Sequence, residues 1–485
     1  MTDFKPAAAM RPRPCVGALM DIPSGEYHVG MYGDMILNGG FSNFMGIGGR
    51  GNTFKSVLSI SNSFRVLERY EGARMTTYDT ELTASWARLE QLSKNHPGLD
   101  FDIAVDSGRI ILTSSSEYSG NEWWKIVRQI HHERVKNPKE YQGKTPFLNR
   151  DGSFIYTYLP YIQFLDSISL LQTDAIDEIY EKNEIDAAGA NTDALRGAAI
   201  KTRMVMQVPG ISTQAGLSIL TTAHIGDEVK MDPYAPAKQQ LASMKKGVVF
   251  KNVPEKFTFL TSNCWIITEA HPLINKTSKA SEYPRVGFKE VVGDSDLKEL
   301  TLLNVRNKFG PDGHIIKLLV SQSEGLLPHL SEFHYLKTRK DKFGLIGPEG
   351  VGKDYRLAIY PDVLIKRTEA RPIIDADPRL QRALEITSEL CQIYEANSLL
   401  DRADMVDPAE LYQGLKDQGY DWGRLLDTRG YWTFNHYEHP VPPLSTMDLI
   451  NMYHKRYVPF WYESSSETKK EKSSSKKKDK ESEPA

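Results

Sequence analysis

The stretch Ser42-Asn-Phe-Met-Gly-Ile-Gly-Gly-Arg-Gly-Asn-Thr-Phe-Lys-Ser56 decides how the chain is read. A short apolar run leads into glycines, then Lys55 and Ser56, then a pattern over residues 54–70 that predicts an amphipathic helix. Such a strand, turn and helix leave unbonded backbone N–H groups at the helix start, where hydrogen bonds and the helix dipole hold phosphate. Gly49, Arg50, Gly51, Asn52, Thr53, Phe54, Lys55 and Ser56 therefore fit a phosphate-binding loop, G-x-x-x-x-G-K-S, with Phe54 standing in for the last glycine. In that role the eight residues bind ATP: Lys55 reaches the β and γ oxygens, and the Ser56 hydroxyl ligates Mg2+. A glycine-rich turn that merely precedes Lys-Ser is the alternative.

Outward from this loop, apolar β-branched runs alternate with helical patterns across residues 30–337. Strands are predicted at 42–47, 74–78, 109–113, 161–165, 217–222, 264–268, 299–306 and 315–320, and helices at 54–70, 82–94, 121–137 and 192–206. This alternation predicts an α/β core with a mostly parallel sheet flanked by helices. Residues 1–29 form an N-terminal segment, residues 338–462 a smaller C-terminal domain of α/β or helical type, and residues 463–485 a Ser/Lys/Glu tail too polar to bury anything.

Three strand ends carry candidate chemistry. The run Arg74–Asp79 is followed by Thr80 and Glu81, and Glu81 could polarise an attacking water; a solvated acid capping the next helix is the alternative. Tyr161-Ile-Gln-Phe-Leu-Asp166-Ser167 is an apolar strand ending in an acid suited to Mg2+. Leu217-Ser-Ile-Leu-Thr-Thr-Ala-His224 ends in a histidine that either senses a γ-phosphate or only caps its strand.

Composition bounds the function classes. At 485 residues, 40% hydrophobic and 25% charged, the chain can bury a large core. A net charge of −3 means that any nucleic-acid site must be a local basic surface. Three widely spaced cysteines, Cys15, Cys264 and Cys391, offer neither a disulfide framework nor a CxxC metal pair. The opening residues MTDFKPAAAMRPRPC lack a signal-peptide apolar region and no run is long enough to span a bilayer, so a cytoplasmic location is expected.

Taken together, Gly49 to Ser56, Tyr78-Asp-Thr-Glu81, Phe164-Leu-Asp-Ser167 and Thr222-Ala-His224 resemble the RecA superfamily of ATPases. The Phe-Lys-Ser ending and the Tyr-Asp-x-Glu strand are most similar to the T4-type phage recombinases, and Leu303 to Lys308 with Gly325 is similar to their late core hairpin. The resemblance implies a DNA-dependent ATPase that forms homo-oligomeric filaments on single-stranded DNA and pairs it with homologous duplex in recombination and repair. It also implies a single-strand-binding or mediator partner and, for a phage protein, the host cytoplasm. A ring-forming helicase or motor shares every core motif, and a DNA-binding filament protein with little ATPase activity is a third reading.

The same resemblance implies two DNA-contacting loops, at about residues 172–191 and 225–257. The first is acidic (DAIDEIYEKNEID), a departure from a cationic surface. The second carries Lys230, Lys238, Lys245 and Lys246 and is expected to be a long cationic loop; a plain surface insertion is the alternative. Lys251 and Lys256 fall roughly where the family places cations against a neighbouring protomer's ATP. Pro6, Pro12, Pro14 and Pro23 argue against the family's long N-terminal docking helix, and the tail is mainly basic where the family's is acidic.

Two further features are expected to be structural. Gly347-Pro-Glu-Gly-Val-Gly-Lys-Asp354 imitates a second phosphate loop but puts a carboxylate at the Mg2+-binding position, so a turn is expected. The aromatic group at residues 431–437, with Tyr453 and Trp461, either stacks bases or packs a small core.

Overall fold

The computed structural model describes residues 10–172, 190–230, 232, 234, 236–275, 279–286, 296–347, 354–396 and 404–462. The first proposed DNA loop and the basic tail therefore lie almost wholly or wholly outside the described residues.

Chain order begins with α1 (Ala18–Ser24), β1 (Glu26–Val29) and β2 (Met35–Asn38). The central elements follow: β3 (Phe44–Gly49), α2 (Lys55–Arg69), β4 (Arg74–Asp79), α3 (Trp86–Ser93), α4 (Phe101–Asp106), β5 (Ile110–Ser114), α5 (Gly120–Lys136) and α6 (Pro138–Tyr141). A hairpin of β6 (Gln142–Leu148) and β7 (Phe154–Tyr158) precedes β8 (Tyr161–Asp166), α7 (Ala190–Ala215), β9 (Leu217–Asp227), β10 (Val248–Phe250) and α8 (Glu255–Leu260). Then come β11 (Asn263–Pro272), β12 (Leu297–Asn307), β13 (Ile315–Ser321), β14 (Gly325–Leu326) and α9 (Pro328–Thr338). The C-terminal region holds β15 (Leu345–Ile346), β16 (Asp354–Leu357), β17 (Tyr360–Lys366), α10 (Ala370–Ala376), α11 (Pro378–Ala396), α12 (Pro408–Asp417), α13 (Trp422–Leu426) and α14 (Thr446–Tyr453).

The large sheet runs β14-β13-β12-β11-β3-β9-β8-β4-β5, with β10 paired to the far end of β9. Its middle, from β5 through β11, is parallel, and β12, β13 and β14 continue it antiparallel. Fully buried parallel strands explain the near-continuous apolar runs of β3 and β8. Side-chain alternation divides the core in two. Met45, Ile47, Ile162, Phe164, Leu220, Trp265 and Ile267 face one apolar cluster, whereas Phe44, Tyr161, Leu165, Ile219, Cys264 and Ile266 face the other, under α5, α7 and α8.

All eight predicted strands are present, most of them extended by a few residues. The helix predicted over 82–94 begins only at Trp86, because the Asp79 carboxylate accepts the backbone N–H groups of Glu81, Leu82, Thr83 and Ala84 and holds them outside a helix. Ser85 then caps α3 by accepting from Arg88 N at 3.2 Å. The sequence reading did not anticipate α4 or the β6–β7 hairpin. Among the described residues of the N-terminal segment there is no long helix: α1 has seven residues and contains Pro23.

Residues of the N-terminal segment and the C-terminal region share one continuous apolar cluster with the central sheet, from Cys15 to Tyr457. Trp432 Nε1 donates to Arg13 O at 2.8 Å and Gln392 Nε2 to Ala18 O at 3.1 Å, so the described part of the N-terminal segment is stitched to the C-terminal region. Trp432 is fully buried and packs edge-on against Tyr70, Phe147 and Phe434, the core-packing alternative for this aromatic group.

Candidate functional site: the edge of the parallel sheet beside Lys55

Three neighbouring strands, β3, β8 and β4, end at one edge of the sheet, and β9 between them runs three residues past His224. Gly49 pairs with His224 across β3 and β9, and Asp79 with Asp166 across β4 and β8. Parallel strands gather the residues that follow them at their carboxyl ends, so the segments carrying Lys55, Glu81, Asp166 and His224 meet at one edge.

The loop after β3 owes its shape to backbone strain. Asn52 and Phe54 both adopt left-handed φ, 53° and 64°, and Phe54 is the N-cap residue of α2 without a side-chain cap. The first-turn N–H groups of α2 thus lack a side-chain acceptor at the cap. A Cβ on Gly49 would stand 2.4 Å from Thr53 Oγ1, so glycine is needed for the tight return.

Inside the loop, Lys55 is buried, 7% exposed, and its Nζ donates to Arg50 O at 2.8 Å. Burial lowers its pKa, opposed by the negative charges of Glu81 and Asp166. Thr53 Oγ1 donates to the same carbonyl at 2.8 Å. Arg50 turns its guanidinium outward to Asp227, 2.9 Å away. Gly51 is exposed, with open space where a Cβ would go.

Asp166 is 5% exposed and accepts hydrogen bonds from the Ser56 and Thr222 hydroxyls. Burial pushes its pKa up against those two hydrogen bonds, and Glu81 and Asp79 add to the rise. A buried carboxylate so placed favours a cation. Among the described residues no cluster of three or more His, Cys, Asp or Glu forms a metal site. One carboxylate with one hydroxyl instead suits Mg2+, which commonly takes few protein ligands and completes its shell with phosphate oxygens and water.

Glu81 and His224 form a half-buried pair, with Oε1 and Nε2 2.9 Å apart. The histidine thus contacts the acid that the sequence reading placed beside the attacking water. Thr80 Oγ1 accepts from Ser167 N at 2.7 Å and links the ends of β4 and β8.

The segment after β9 differs from the long loop expected over 225–257. Strand β9 continues to Asp227, β10 returns antiparallel to it, and α8 follows. Glu228 N donates to Gly247 O at 2.7 Å, and Phe250 N to Gln240 Oε1 at 2.9 Å. Apolar anchoring explains the folding back: Cβ atoms on Gly46 and Gly48 would stand 2.7 Å from the Phe257 and Phe250 rings, so these glycines let both rings lie on β3. Lys230, Lys238, Lys245 and Lys246 are all exposed on this segment, and Lys238 pairs with Glu255 at 3.8 Å. Lys251 donates to Asp227 O of its own chain, and Lys256 is exposed on α8.

Two residues of the site escaped the sequence reading. Thr222 precedes His224 by two and shares its face of β9, a period-two signal that could have found it. Ser169 Oγ accepts from His224 N and donates to Lys251 O, both at 2.9 Å, bridging the strand end to the returning segment. Asp79 organises the Glu81 turn by accepting four backbone N–H groups, the local capping role open to an acid ahead of a helix. The second glycine-rich motif joins β15 to β16, which pair antiparallel, so a strand follows it and not the helix that a phosphate loop requires. Residues 348–353 of that motif lie outside the described residues.

The chain is a mixed α/β protein with a large, mostly parallel central sheet flanked by helices. Among the described residues no helix is long and apolar enough to cross a membrane. No protein-family model matches the chain, and no curated protein matches it in sequence.

Proposed function

We propose that this chain is a RecA-type ATPase, and specifically a recombinase that assembles on single-stranded DNA and exchanges it with homologous duplex. The observation that carries the reading is the meeting of Lys55, Ser56, Asp166 and the Glu81–His224 pair at the carboxyl edge of adjacent parallel strands, beside a helix start without a side-chain cap.

When bound, Mg-ATP supplies the transferable γ-phosphoryl group and a divalent charge. The Lys55 ammonium leaves Arg50 O to bind phosphate oxygens, with the N–H groups of residues 51–56 supporting it. Ser56 and Asp166 hold the cation, and Thr222 keeps the Asp166 carboxylate oriented. Glu81 accepts a proton from water at the oxygen not engaged by His224. Through its backbone bond to Ser169, which also holds Lys251 O, the His224 strand end connects to the lysine-bearing segment. That chain of contacts is the route by which nucleotide would alter the grip on DNA.

The test is ATPase activity with and without single-stranded DNA. Glu81→Gln is expected to lower turnover at least 100-fold, within the range for a general base, while ATP-dependent DNA binding is kept. Lys55→Ala is expected to lose both. Parental turnover in Glu81→Gln sinks the assignment of the base, and electron microscopy with a non-hydrolysable analogue separates filaments from the rings of a motor.

A further inference from the structure

Away from this edge, helices α5 and α7 lie side by side. Trp124 Nε1 donates to Gln207 Oε1 at 3.3 Å, and His131 Nε2 lies 2.9 Å from Gln214 Oε1. Both contacts advance seven residues along each helix, so the two run parallel. Between them is a cavity of about 400 Å³.

Its floor is apolar, made by Trp124, Ile200 and Met204. The rim is cationic: Lys125, Arg128 and His132 follow one stripe of α5, and Arg203 faces them from α7. Lys125, Arg128 and Arg203 are exposed, and none of them is in an ion pair among the described residues. Among the described residues no carboxylate lines the cavity. Nearby acids on α5 are engaged elsewhere: Glu122 caps Ser119 and Glu133 holds Asn137. On a chain of net charge −3, three cations without an ion pair among the described residues, gathered round one groove, form a local anion-binding surface.

We infer that this groove binds the backbone of a single-stranded nucleic acid, as a site separate from the Lys55 edge. The eight residues from Lys125 to His132 cover roughly 10 Å of helix, a row suited to successive phosphates rather than to one anion. Asn121, Gln129 and Gln207 place amides beside the row. Such amides pair with base edges, which an acidic polypeptide does not offer.

The experiment uses the full chain carrying Lys55→Ala and no nucleotide, so its outcome is independent of the ATPase reading. Fluorescence anisotropy with a labelled 30-mer of thymidylate, from low to moderate salt, compares this protein with the same protein carrying Arg128→Gln and Arg203→Gln. Affinity is expected to fall on the order of tenfold at low salt, and the log–log salt slope to shrink by about 1.4, two cations at ~0.7 each. Unchanged affinity and slope, with parental circular dichroism and melting, overturn the inference. So does displacement of the oligonucleotide by poly-glutamate at equal charge, which assigns the groove to an acidic polypeptide. Displacement by free ATP at equal phosphate concentration also overturns it, since a single nucleotide then suffices.

Discussion

Replacing Phe54 by alanine and by glycine tests whether the loop before α2 depends on a left-handed residue. At φ 64° and ψ 21° a residue with a Cβ carries about 1–2 kcal/mol of steric cost. Glycine escapes that cost but gives up roughly 0.5–1 kcal/mol of chain entropy relative to alanine. Both substitutions remove the same ring, so the lost packing cancels between them. Phe54→Gly should therefore be more stable than Phe54→Ala by about 0.5–1 kcal/mol, whereas in a helix interior glycine loses to alanine by a similar amount. Against the parent, Phe54→Ala should fall by ~1 kcal/mol, since the partly buried ring contributes a fraction of the 1.5–3 kcal/mol of a fully buried one. Urea denaturation of the three proteins reads both differences. If Phe54→Ala equals or exceeds Phe54→Gly in stability, the left-handed geometry at the N-cap of α2 is refuted.

Asp79→Ala strips the acceptor from four backbone N–H groups, and should cost on the order of 3 kcal/mol. The amides of residues 81–84 should then exchange at least about tenfold faster with deuterium; unchanged exchange contradicts the role given to Asp79. A second perturbation concerns Glu389, buried on α11, where it accepts from Thr446 Oγ1. Burial raises its pKa, neighbouring Glu385 adds to the rise, and Arg382 opposes it. With the folded value above the unfolded one, its contribution to stability is fully present in acid and declines as pH rises past the ordinary carboxylate range. The decline is up to ~1.4 kcal/mol per pH unit until the folded value is passed. Glu389→Gln should thus match the parent near pH 4 and gain on it steadily toward pH 8 in thermal melts. Parallel pH curves for the two proteins contradict this.

Much of the sheet was legible because burial imposes local periods. β3 and β8 read as continuous apolar runs since both of their faces are covered, and β9 was visible up to Thr222 for the same reason. Its extension to Asp227 was not, because that part is held by pairing with β10, some twenty residues later. The helix predicted from residue 82 failed at its start because a carboxylate competes for the backbone N–H groups, a contest that helical periodicity does not register. The long cationic loop came out shorter than expected: the described residues between Asp227 and Val248, which carry its four lysines, hold no helix or strand, but beyond them Phe250 and Phe257 find seats over Gly46 and Gly48, on a strand two hundred residues earlier.

By itself the sequence determined the alternation of strands and helices, the glycine-rich turn before Lys55, and the placing of two acids at or just past strand ends and of a histidine on a neighbouring strand. These are local properties, set by side-chain period and by which residues tolerate a turn. Tertiary structure alone decided that Glu81 meets His224 across 143 positions, that Thr222 and Ser56 share the Asp166 carboxylate, and that the cations of α5 and α7 face a common groove. It also decided that Trp432 closes on Arg13, so that residues of the N-terminal segment and the C-terminal region complete one core. Such pairings depend on which strands become neighbours and which faces they turn inward, and burying apolar surface over the whole chain settles both at once.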